Sequence, residues 1–137
     1  MDYKKILLGT AAFFVSSFVI QGMLGFMFAG DYFLSIPIMR EAPLFALSLS
    51  QTAISGIGFT ILYSLTHFDG TPIVRGLKFG LMLALIVVPF IALDLPARFT
   101  IPSVGTWIGI QGLLSILHFA VAGILVGLIY SSNAKVV

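Results

Sequence analysis

Cysteine is absent from the chain. That excludes disulfides, thiol catalysis and thiolate-held iron–sulfur clusters, and it leaves the redox compartment unread. Charge is scarce: seven Lys and Arg and five Asp and Glu make up 9% of 137 residues. Asp31, Glu41 and Asp94 stand at the edges of apolar runs, so the buried carboxylate expected of a proton-coupled exporter is missing. No HExxH, GxGxxG or Walker pattern occurs, and no nucleophile–base pair, so the chain reads as non-enzymatic and without a metal site. A net charge of +2 would hint at nucleic acid in a soluble protein. With a mean hydropathy of +1.14 it reports instead the basic residues that hold loops on one side of a membrane, and no nucleic-acid partner is expected.

What is present is apolar. Hydrophobic residues make up 59% of the chain, more than a soluble domain of this length can hide from water, so the expected surroundings are a lipid bilayer. Four runs, 6–29, 44–66, 74–93 and 102–130, are each long enough at 1.5 Å per residue to cross a core of ~30 Å. They lack the period-two alternation of barrel strands. The expectation is an all-α membrane protein, a four-transmembrane-helix bundle in one integral domain spanning 1–137. The first run exceeds a signal-peptide core and is read as a retained span. Gly30-Asp31 is expected to end it, with Pro37 and Pro43 marking the loop that follows. Asp69-Gly70 and Thr71-Pro72 read as a turn, Asp94–Arg98 as a loop, and Pro89 as a kink in the third span. Lys4, Lys5, Arg75, Lys78 and Lys135 lie on one side, Arg40 and Arg98 on the other, which places both termini in the cytoplasm.

The two halves resemble each other. Residues 48–57 align with 115–124 at a constant offset of 67, and the register continues to Tyr63-Ser64 against Tyr130-Ser131. With gaps, Ser35-Ile36-Pro37 matches Thr100-Ile101-Pro102, and 4–9 matches 75–80. Apolar sequence of low complexity also aligns with itself by chance, so coincidence and a tandem duplication of a two-helix hairpin both stand here. A real repeat would be parallel, about an axis along the membrane normal.

On the fourth span Trp107, Gln111, Ser115 and His118 fall in one stripe at 100° per residue. The repeat sets Ser48 opposite Ser115 and Gln51 opposite His118, with Ser55 next on the same face, while Thr10, Ser17 and Gln21 share a stripe on span one. Polar groups facing lipid are costly, so a polar lane through the bundle is expected. It serves either as interhelical glue or as a ligand site. His118 also offers one ligand to a chlorophyll magnesium or a haem iron, but His67, at the far end of span two, is no partner for it. Otherwise no cofactor is expected. Gly105, Gly109, Gly112, Gly123 and Gly127 form a second stripe on span four, and Gly76 and Gly80 repeat the small-xxx-small spacing on span three. They fit packing within the chain or contact with a protein partner or a second copy. Asp31, Arg40, Asp94 and Arg98 are candidates for the rim of an outer cavity.

With its Lys4-Lys5 start, four short-looped spans and few intramembrane charges, the chain resembles small four-span proteins of the bacterial inner membrane. That likeness covers the whole chain loosely and implies no activity. Three readings of function fit these residues. The first is a non-catalytic accessory subunit or homo-oligomeric scaffold acting through the glycine face. The second is a carrier of a small molecule or lipid with its site in the polar lane, and the third is a pigment or haem protein using His118.

Overall fold

Lipid leaves a backbone only itself to hydrogen-bond with, and long helices satisfy that condition. A computed structural model describes residues 2–40, 42 and 44–131, and in it the chain forms a four-helix all-α bundle: α1 Tyr3–Leu34, α2 Phe45–Leu65, α3 Pro72–Arg98 and α4 Val104–Ser131. All four are long and apolar enough to cross a membrane, so this is an integral membrane protein. The Asp2 carboxylate opens α1 by accepting from the Lys5 N–H at 3.2 Å. Thr71 opens α3 in the same way, its hydroxyl accepting from the Val74 N–H at 3.4 Å. Pro72, expected as a breaker, is the first residue of that helix, where its missing N–H costs nothing. Gly70 makes the preceding turn at φ +120°, a region L-residues avoid.

Two expected boundaries are wrong. The first helix does not end at Gly30-Asp31 but runs to Leu34, and the third continues through Asp94–Arg98. A glycine or aspartate inside a helix costs up to about 1 kcal/mol. Unpaired backbone groups beside lipid cost several each, so the helix persists. Pro37 sets the first stop, because it disfavours helix at Ile36. Pro43, Glu41 and Lys135, on which parts of the loop, edge and sidedness readings rest, lie outside the described residues.

Each odd-numbered helix contains a π-helical turn, Phe18–Leu24 in α1 and Phe90–Asp94 in α3. The second directly follows Pro89, where the kink was expected. Proline removes one i,i+4 bond, and here the helix widens.

Helix α1 packs against α2 and α4, and α4 packs against α3 along its length. The main core is built from Phe13, Phe59, Phe79, Phe119, Ala122 and Val126. At the end of the bundle away from the termini, Ile36, Ile101 and Trp107 form a second cluster. The two hairpins are built alike. In α1–α2 a Cβ on Gly56 would meet Thr10 at 3.2 Å, and one on Gly9 would meet the Thr60 hydroxyl at 2.7 Å. In α3–α4 the aligned Gly123 and Gly80 lie against backbone of the opposite helix. The aligned Ile36 and Ile101 share one cluster, and the two π-turns occupy corresponding places. One contact breaks the likeness. The counterpart of the close α1–α4 packing would be α2 against α3, and these two do not pack closely. They meet through side chains near the termini end, with Phe59–Phe79 and Tyr63–Phe79 ring centroids 4.9 and 5.2 Å apart.

Candidate functional site

Where the α2–α3 contact is missing, a cavity of about 570 Å³ opens, within the size range of ligand pockets. Residues 45–51, the start of α2, are all exposed, Gln51 among them although it also lines the cavity, so this end of the helix stands away from the bundle. Phe13, Phe59 and Phe119 close the cavity toward the termini. Leu83, Val87 and Ile91 of α3 form an apolar wall. Facing them are Ser17 and Gln21 of α1, Gln51, Thr52 and Ser55 of α2, and His118 of α4. Among the described residues, no charged side chain lines it.

Half of the polar lane expected from sequence, Ser17, Gln21, Gln51, Ser55 and His118, therefore converges here. Gln21 sits in the π-turn of α1 and donates from Nε2 to the hydroxyl of the fully buried Ser115 at 3.2 Å. Gln51 donates to the Ser55 hydroxyl at 2.9 Å. Both π-turns border the cavity, one through Gln21 and the other through Ile91, and such turns recur at functional sites because they re-aim side chains. Sequence reasoning missed Thr52, whose hydroxyl donates back to the Ser48 carbonyl at 2.9 Å, and Gly58, which leaves room in the wall. Their signal was position alone, one and seven residues beyond Gln51.

The lane is shorter than expected. Ser48 is exposed, Gln111 is half-buried but not in the wall, and Trp107 belongs to the second apolar cluster. Trp107 donates from Nε1 to the Ile91 carbonyl at 3.0 Å. Five residues beyond Ile91 stands Pro96, which has no N–H for an i,i+5 bond in that π-turn. The indole supplies the donor instead, which turns Trp107 away from the lane.

His118 is buried, its ring 4.6 Å from that of Phe13 and its Nε2 3.4 Å from the Phe13 carbonyl. A carbonyl only accepts, so this contact needs the tautomer with hydrogen on Nε2 and leaves Nδ1 as the ring's acceptor. His67 lines a separate cavity at the termini end, so the two histidines do not converge.

The glycines divide into two groups. Gly76, Gly80, Gly123 and Gly127 form the α3–α4 seam, where backbone meets backbone. Around Gly105, Gly109 and Gly112 a Cβ would meet nothing within 4 Å. The four rim charges do not enclose one cavity. Arg98 pairs with Asp94 at 3.0 Å across one turn of α3. Asp31 is exposed on the last turns of α1 and lines a hollow beside Phe26 and Thr106 that Arg40, Asp94 and Arg98 do not reach. The reason is the longer helices: Asp31 and Asp94 are held on helix walls rather than in loops free to fold over the bundle. Neither protein-family models, nor curated proteins, nor solved structures give a match to this chain.

Proposed function

We propose that the protein is a non-catalytic membrane protein that binds, and carries, an uncharged amphipathic molecule in the cavity between α2 and α3. The missing α2–α3 contact supports this most directly. A helix pair that its counterpart would close is held apart, and the gap has one apolar wall and one wall of amides, hydroxyls and an imidazole. Leaving such groups without partners in a bilayer is costly, and a molecule with an apolar body and a few hydrogen-bonding groups satisfies both walls. A charged ligand fits badly, because among the described residues no countercharge lines the site. The count of basic residues supports a bacterial inner-membrane location with both termini in the cytoplasm.

Gly58 makes the test. It lines the cavity, and a Cβ there would meet nothing within 4 Å, so the side chain of Gly58→Leu starts into open space. Replacing a mid-helix glycine also raises helix propensity by about 0.5–1 kcal/mol. The expected result is a variant at least as stable as the wild type in detergent that no longer retains the molecule co-purifying with the wild type, read by mass spectrometry. The same set of bound molecules in both proteins would discard the carrier reading.

Gly105, Gly109 and Gly112 favour a second reading, in which the open outer half of α4 seats a partner helix or a second copy. Gly109→Leu is then expected to leave unfolding unchanged and to shift the protein from dimer to monomer in sedimentation in mild detergent. A wild type that is monomeric at every concentration counts against it.

A further inference from the structure

A second cavity, of about 420 Å³, lies at the termini end, where the ends of α2 and α4 meet the start of α3. The ring of Tyr63, packed edge-on against Tyr130 with centroids 5.2 Å apart, separates it from the main core. Two opposite charges line it, Arg75 and Asp69, and no ion pair joins them. Two described cations of this end, Lys5 and Lys78, are engaged elsewhere. Lys5 Nζ donates to the Tyr130 carbonyl at 3.1 Å and sits over that ring, and Lys78 Nζ donates to the Asp69 carbonyl at 3.2 Å. Thr66 and Ser64 use their hydroxyl hydrogens on the Tyr63 and Ile61 carbonyls. Arg75 is different. Its Nε is buried and has no hydrogen-bond partner, although the first turns of a membrane helix let a long basic side chain reach water.

Arg75 lines the cavity and has no ion-pair partner among the described residues, so its guanidinium calls for an acceptor that brings its own charge, and planar bidentate geometry makes phosphate the best match. Leu65, Ile73 and Val74, exposed and apolar, stand within two residues along the chain of the lining residues Thr66 and Arg75, and they suit acyl chains better than water. We propose that the cavity seats the phosphodiester of a bilayer phospholipid on Arg75, with the Asp69 carboxylate accepting an N–H from its headgroup. Ethanolamine, whose ammonium has hydrogens to give, satisfies both charges. Choline carries the same positive charge but has no N–H to give the carboxylate, so it lacks that hydrogen bond. This site is independent of the cavity between α2 and α3.

The test uses the full chain in detergent, with phosphatidylethanolamine, phosphatidylcholine and inorganic phosphate added in separate arms, and binding read by native mass spectrometry and thermal shift. Wild type is expected to bind phosphatidylethanolamine about tenfold more tightly than phosphatidylcholine, the worth of one charge-assisted hydrogen bond. Arg75→Gln loses roughly tenfold or more for both lipids, and Asp69→Asn brings the two lipids to within about threefold of each other while retaining both. Arg75→Lys, which keeps the charge and the fold but not the fork, falls between wild type and Arg75→Gln. Equal binding of the two lipids by wild type overturns the proposal, as does undiminished lipid binding by an Arg75→Gln protein that melts normally. Stabilisation by inorganic phosphate as large as by the lipid overturns it too, assigning the site to a soluble anion.

Discussion

Gly80→Val is expected to destabilise the protein by about 3 kcal/mol or more, read as a shift of the unfolding midpoint in detergent. A Cβ at Gly80 would run into the backbone carbonyl of Phe119, and one at Gly76 into that of Gly123. At Gly123 it would also come within 3.0 Å of the Gly80 Cα, and at Gly127 within 3.2 Å of the Gly76 nitrogen. These are main-chain atoms, with no rotamer that moves them aside. The helices must separate along their length, and the buried Phe79, Ala122 and Val126 beside the seam lose their neighbours together. In lipid no hydrophobic force offsets that loss, because a tail is as apolar as the core it replaces, so close dispersion contact is what holds α3 to α4. Gly9→Ala supplies the internal comparison. Its clash is with the Thr60 side chain, which can give way, so it should cost less than Gly80→Val. If Gly80→Val unfolds like wild type, the seam is looser than drawn and the glycines do not set it.

That seam was half legible in the sequence. Spacing put Gly76 and Gly80 on one face and Gly105 through Gly127 on another, and period alone identifies a face, not what lies against it. Only the neighbours show that Gly123 and Gly127 are buried against α3 while Gly105, Gly109 and Gly112 stand open. Hydropathy sufficed for four helices, since length and apolarity are what a bilayer selects. It misplaced the ends of α1 and α3, because turn propensities measured against water overrate Gly30-Asp31 and Asp94 where the backbone has no water to turn to. The polar lane was legible at Gln21, Gln51, Ser55 and His118, which meet in one wall. The cavity itself was not. It arises from a departure from the likeness between hairpins, and aligned residues cannot announce a contact that fails to form.

Trp107 shows why the lane was read too long, and it carries the second large effect. Trp107→Ala is expected to cost about 3 kcal/mol, the lower end for an emptied aromatic site. Trp107→Phe separates the causes. Phenylalanine keeps most of the packing against Ile36, Ile101 and Phe33 but has no N–H for the Ile91 carbonyl. Leaving that acceptor unpaired costs about 1–3 kcal/mol, so Trp107→Phe should recover only part of the loss. Because the chain has one tryptophan, the wild-type fluorescence reports this site alone, and blue-shifted emission shielded from acrylamide is expected. The variants are followed by circular dichroism. Ile91 also belongs to the apolar wall of the α2–α3 cavity, so the same bond fixes one side of the candidate ligand site. Trp107→Phe should therefore weaken retention of the bound molecule as well as stability, whereas a residue that only fills space would change stability alone. Wild-type stability and retention in Trp107→Phe would mean that the carbonyl finds another donor, and that the π-turn after Pro89 holds its shape without the indole.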